Sequence, residues 1–335
     1  MRKWFFTIRG GTLFSLAISV TAWCVEVEKV EKKTFDFSSG GSISVMADDG
    51  SITIKTWDRE SVHLRMTKRA WGRSRHEAEQ LLEDIDVRIQ ESRNRLVIKE
   101  LDRDYNKHFN FFDIFDGDFW REKGWRSVVV DFELTVPQKV ELRLQTDEGD
   151  IEVSGTEGKL TVDVDEGEVD LEDVVSDYVQ IGVDEGDISF YRVKDRGQGL
   201  WKVDADEGSI FIEEGSMKEV DLRTDEGEIV LRNVITPRFW LSTDEGDIQT
   251  DFRPTEGGSY RLETDEGDLE IYIPEDADLD VRLQTYEGRI DSDFDLYFRS
   301  HDDGESAEGV IGRGNGRLKA LADEGDIILR KEHKR

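Results

Sequence analysis

From about residue 140 onward, apolar and polar residues alternate with period two, and Asp-Glu-Gly or a close variant interrupts the alternation at a regular interval. The glycines stand at 149, 167, 186, 208, 227, 246, 267, 288 and 325, spaced by 18 to 22 residues until a last gap of 37. Around them the apolar residues fall into columns. One lies five residues before each glycine, from Leu144, Val162 and Ile181 to Ala320. A second lies seven before, from Leu142 and Leu160 to Leu318, and a third two after, from Ile151, Val169 and Ile188 to Ile327. Period two on both sides of the glycine predicts strand, turn and strand with one face buried. Glycine supplies the positive φ of a tight turn, and the aspartate before it can bond its own backbone.

Two foldings meet this pattern, an antiparallel meander with a hairpin at every glycine and a solenoid in which each glycine turns a corner of a coil. Stacked coils place like columns above like columns, whereas a meander has no reason to keep them aligned, so a constant period favours the solenoid. The expected class is all-β: a single-stranded β-solenoid of about nine or ten coils over residues 140–335. The same frame occurs once upstream, at Ile43, Val45, Asp49, Gly50, Ile52 and Ile54. Between it and Gly149, residues 76–85 carry Ala78, Leu81, Leu82 and Ile85 at helical spacing, flanked by strand-like stretches at 62–66, 87–89, 96–98 and 128–136. Residues 23–139 are therefore expected as an N-terminal β-rich cap with one short helix and an aromatic insertion. The final gap is expected to hold an insertion at 299–309, and Gly312, Gly314 and Gly316 a loop before the last coil.

The start of the chain points to export. Arg2, Lys3 and Arg9 precede an apolar run at 13–20, and Val20-Thr21-Ala22 offers the small residues of a cleavage site, so residues 1–22 read as a signal peptide. The run is shorter than the roughly 20 residues of a membrane span. An uncleaved anchor and a lipid on Cys24 are the alternatives, and Trp23 stands where a lipidation signal wants a small residue. Cys24 is the only cysteine, which excludes an intramolecular disulfide and a cysteine zinc site. A formal charge of -32 argues against nucleic acid and anionic lipid as partners of the protein body, and for divalent cations or a cationic protein or surface component.

Three motifs in order carry a family resemblance. Trp57-Asp58 is followed by the alternating run Val62-His63-Leu64-Arg65-Met66; Phe132-Glu133-Leu134-Thr135-Val136-Pro137 is a strand ending in Val-Pro; and Thr-x-x-Gly-Asp-Ile repeats follow at Thr146–Ile151 and Thr243–Ile248, with Thr264–Leu269 close to them. In this the chain resembles the bacterial adhesin-like family, a domain of unknown function built of β-strand repeats. The resemblance implies attachment rather than catalysis and brings no active site with it. Such repeats usually carry Ser or Asn before the glycine; here the residue is Glu.

That departure defines the candidate site. Stacked coils would place equivalent residues about 4.8 Å apart, so the turns would form a ladder of carboxylates: Asp147, Glu148, Asp150, Asp165, Glu166, Asp184, Glu185, Asp187, Asp206, Glu207, Asp225, Glu226, Asp244, Glu245, Asp247, Asp265, Glu266 and Asp268. Unit charges at that spacing repel by roughly 1 kcal/mol in bulk water and more beside a low-dielectric surface. A good turn explains Asp and Gly but not a Glu at all nine positions before the repeat glycines. Calcium, whose oxygen ligands lie at about 2.3–2.6 Å, can bridge neighbouring coils. Diffuse condensation of divalent cations, a cationic macromolecule and plain solubility are the other readings. A second unusual feature is the aromatic stretch with Phe111, Phe112, Phe115, Phe119 and Trp120, which reads either as packing of the cap on the coils or as a partner-docking loop. The five histidines lie in unrelated segments, without a His-Glu-x-x-His pair, a Gly-x-Ser-x-Gly elbow or a phosphate loop. The expectation is therefore a non-enzyme. Its rival is a polysaccharide-active β-helix enzyme; such enzymes commonly act on polyanions through basic residues, and an acidic edge would repel those substrates.

Overall fold

A computed structural model describes residues 25–101, 128–301 and 304–332. Each repeat forms two strands joined at its Asp-Glu-Gly corner, such as Leu160–Glu166 before Gly167 and Val169–Glu172 after it. The strands before the corners belong to a fourteen-stranded sheet and those after them to a thirteen-stranded sheet. Like strands pair in parallel and in register: Leu160 lies between Leu142 and Val179, and Val169 between Ile151 and Ile188. A meander would pair them antiparallel. The chain is a parallel β-solenoid.

The alternation explains the core. Inward residues of both sheets, among them Leu144, Val162, Ile181 and Val203 facing Ile151, Val169, Ile188 and Ile210, form one continuous apolar cluster. The largest buried side chains keep their polar atoms paired. Trp201 Nε1 donates to the Ser176 carbonyl at 3.0 Å, and the Tyr260 hydroxyl to the Thr236 carbonyl at 3.1 Å. The second corner of each coil is marked only faintly in the sequence. There Gly155, Asp173, Arg192, Glu214 and Asn233 take left-handed backbone with φ between 53° and 73°, and isolated bridges link Glu157, Val175, Lys194, Ser216 and Ile235 from coil to coil.

The stack does not follow chain order at its C-terminal end. The strand Gly316–Glu324 inserts between Ser259–Glu266 and Leu279–Glu287, so the coil of Gly325 lies between those of Gly267 and Gly288. The gap after Gly288 contains the strands Tyr297–His301 and Gly304–Ile311, and the latter runs antiparallel along the outer edge of Leu279–Glu287. At the other end, Ser42–Met46 and Ile52–Trp57 flank Gly50 as a coil stacked directly on that of Gly149. Within 23–139, expected as a cap, the described residues continue the same two sheets. Val128–Pro137, Ser61–Gly72 and Val25–Asp36 extend one, and the hairpin of Asp86–Ser92 with Arg95–Leu101 extends the other. The helix is Arg75–Glu83, capped by Ser74 Oγ, which accepts from the Glu77 amide, and it buries Ala78 and Leu82. The signal-peptide residues, Cys24 and the aromatic residues Phe111, Phe112, Phe115, Phe119 and Trp120 lie outside the described residues.

Candidate functional site

The corners are built from backbone outward. Every repeat glycine but Gly288, in the last coil of the stack, donates its amide to the carbonyl of the glutamate in the adjacent coil, from Gly149 to Glu166 at 2.8 Å through Gly227 to Glu245 at 2.9 Å to Gly325 to Glu287 at 2.9 Å. Most of these glycines hold φ near 150°, and a Cβ on any of them would overlap the carbonyl of the neighbouring corner glycine. The glycine is thus required by stacking as well as by the turn. Behind the corner, buried Thr146, Thr224, Thr243, Thr264 and Thr285 donate their hydroxyls to the glycine carbonyl of the adjacent coil at 2.7 to 3.1 Å. The Thr-x-x-Gly spacing is therefore a hydrogen bond between coils.

In this frame the glutamates form one unbroken row. Spatially it runs Glu148, Glu166, Glu185, Glu207, Glu226, Glu245, Glu266, Glu324 and Glu287, each the register partner of the next. Asp49 bridges to Glu148 and extends the line by one corner. Beside the glutamates, Asp165, Asp184, Asp206, Asp225, Asp244 and Asp265 are exposed, and Asp147 is half-buried. Crowding by flanking atoms, and then the charges of Asp184, Asp163 and Glu166, push the Asp165 carboxyl above its ordinary value. Asp184 is raised in the same way, by crowding and then by Asp206, Asp163 and Glu185.

The third column does different work. Asp150 Oδ1 accepts from the Glu168 amide at 3.0 Å, Asp187 Oδ1 from Ser209 at 2.8 Å, and Asp247 Oδ1 from Asp268 at 2.7 Å. Asp268 and Asp326 repeat the bond with Asp326 and Arg289, both at 2.7 Å. The aspartates after the glycine thus satisfy the first amide of the adjacent coil, a role that sequence reasoning did not separate from the ladder. The nine glutamates form no ion pair with a lysine or arginine among the described residues. Also among the described residues, no three His, Cys, Asp or Glu side chains converge as a metal-binding group. No helix there is long and apolar enough to cross a membrane.

Parallel coils, a glycine corner and two facing sheets define a β-solenoid repeat protein. Residues 17–330 match the family described as Toastrack DUF4097, and the chain belongs to it, as the motifs from Trp57-Asp58 to the Thr-x-x-Gly repeats implied. Among solved structures the chain is similar to a candidate lipid-binding protein from Parabacteroides distasonis, at 11% identity and a TM-score of 0.48, covering 90% of this chain and 96% of that one. It is also similar to candidate adhesins from Parabacteroides merdae, at 11% identity and TM-score 0.47 over 91% and 97% of the two chains, and from Bacteroides fragilis, at 13% and 0.41 over 91% and 97%. No curated protein matches the chain.

Proposed function

We propose that this is an exported, non-catalytic, adhesin-like binding or scaffolding protein that presents its acidic corner to divalent cations or to a cationic surface component. The observation that carries the reading is the register of the glutamates, coil after coil, with no basic side chain among the described residues to neutralise them. Backbone geometry accounts for the glycines, and hydrogen bonds account for the aspartates after them. Neither accounts for the glutamates, which add repulsion without a bond in return. A multivalent cation or a lysine-rich chain lying along the row would offset that repulsion.

Calorimetric titration at constant ionic strength tests the proposal, with calcium, magnesium and an oligolysine as titrants. Saturable binding that weakens on combining Glu185→Gln, Glu207→Gln and Glu226→Gln supports it. The loss should amount to roughly 1 kcal/mol per removed charge for the polycation, on the scale of exposed ion pairs. No heat and no change in thermal midpoint with any titrant would remove the cation-facing function.

A further inference from the structure

A second surface has the opposite sign. On the outward face of the fourteen-stranded sheet, near its N-terminal end, lies an open groove of about 720 Å³. Its lining includes Arg88, Arg95, Lys99, Arg143 and Lys159 against a single carboxylate, Glu141. Further along the same face, four cations are neutralised within their own strands: Lys202 by Asp204 at 2.7 Å, Arg261 by Glu263 at 2.5 Å, Arg223 by Asp221 at 3.5 Å and Arg282 by Asp280 at 3.4 Å. The groove lacks such pairs. Register places Arg143 in the row of Lys202, and Gln145 in the row of Asp204, so an amide stands where the neutralising carboxylate would be. Among the described residues, Arg88, Arg95, Arg143 and Lys159 form no ion pair. Crowding, and then the Arg88 charge, hold the Lys99 ammonium below its ordinary value, against the pull of Asp147. Four of the groove's five cations thus stand without a carboxylate partner among the described residues, in a chain whose net charge is -32.

The rest of the lining indicates what that ligand is. Ser44 Oγ, on the groove floor, is buried without a hydrogen-bond partner. Gln90, Gln145 and Thr161 add amide and hydroxyl groups. The exposed ring of Tyr178 closes one end, with its hydroxyl 2.7 Å from Gln180 Oε1. Arg95 and Lys159 are three strands apart, roughly 14 Å at the interstrand spacing, too far for one carboxylate or phosphate to bridge. We infer that the groove binds a linear acidic polysaccharide, with the cations taking its carboxylates, the amides and hydroxyls its hydroxyl groups, and Tyr178 the apolar face of a sugar ring. A single aromatic ring is a poor platform for successive nucleobases, which stack on several. A bilayer is a broad plane that would bring its anionic surface against the whole acidic molecule, whereas a polysaccharide chain meets only the groove.

The probe is an oligogalacturonate, titrated into the full chain at low salt, with a neutral dextran oligosaccharide, phosphatidylglycerol vesicles and single-stranded DNA as comparisons. Binding of the oligogalacturonate alone, falling as salt rises, is the expected result. Combining Arg143→Gln with Lys159→Gln should weaken it at least about tenfold, the scale of losing two charge-assisted contacts. Combining Lys202→Gln with Arg261→Gln, at cations already paired, should change it less than about twofold. All four side chains face outward, and circular dichroism with the melting midpoint verifies that each variant is folded; single Arg143→Gln is the fallback, with the same direction expected. The inference is overturned by no binding of the oligogalacturonate, by equal binding of the neutral chain, by tighter binding of vesicles or DNA, or by folded groove variants that bind as the parent does. Glu185, Glu207 and Glu226 lie on a different part of the molecule, so failure here leaves the cation titrations standing, and the reverse.

Discussion

At the scale of single residues, the corner glycine is the most constrained position in the molecule. Gly208 has φ 151° and its missing Cβ would overlap the Gly186 carbonyl, whereas Gly257 has φ 71° with open space around it. Gly208→Ala combines backbone strain with a clash that rigid neighbours cannot relieve, and should cost about 3 kcal/mol. Gly257→Ala carries only the left-handed backbone penalty, about 1 kcal/mol. Chemical denaturation of both variants measures the difference; equal losses would mean that stacking does not set the glycine requirement. The glycine column was readable in the sequence because every coil repeats it. The threonine bonds were not, because Val164, Val183, Ala205 and Ala322 occupy the same buried column in other coils, and an apolar column with occasional threonines reads as core.

At the scale of the element, each corner sets like charges beside one another on adjacent strands. The raised carboxyls of Asp165 and Asp184 mean that the folded state binds protons more tightly there than the unfolded chain does. Their contribution is present below the unfolded value, near pH 3.9, and is lost as pH rises through the raised folded value. Asp165→Asn with Asp184→Asn should therefore raise the melting midpoint at pH 7 by about 1–2 °C, with the gain vanishing near pH 3. Melting curves across that range check the sign; a gain that grows on acidification would contradict it. The strands themselves were legible from period two, and the helix from its spacing, with its start one residue earlier at Arg75 and its end two earlier at Glu83, which leaves Ile85 beyond it. The second corner was not, because its left-handed position is filled by Gly155, Asp173, Arg192, Glu214 and Asn233 in turn, and no single residue type marks it from coil to coil. Arg192 shows how one coil compensates: its guanidinium bonds Asp173 and Glu172 of the adjacent coil.

At the scale of the whole molecule, two long sheets have four edges to protect. The thirteen-stranded sheet ends at Val25–Asp36 on one side and at the three-residue strand Ile290–Ser292 on the other. A very short strand offers little to pair with, and the long one carries exposed Lys29, Lys32 and Lys33, which discourage another chain from adding to it. Replacing those three lysines with valine should turn the edge into a template, seen as concentration-dependent growth in light scattering. An unchanged monodisperse signal would place the protection elsewhere. The stacked architecture was legible because columns keep their register; the order of the final coils was not, because the repeat motif is the same whichever neighbour it meets.

That order has a consequence for a chain emerging N-terminus first. When residues 279–292 become available, the surface left by Ser259–Glu266 is vacant, and the strand that finally occupies it, Gly316–Glu324, has yet to appear. Both strands bring the same apolar rhythm and a glutamate to the same row, so the earlier one is able to dock there first. An earlier strand docked there has to yield its berth before the tip can be completed, so a chain halted before residue 316 lacks the rung that separates these two neighbours.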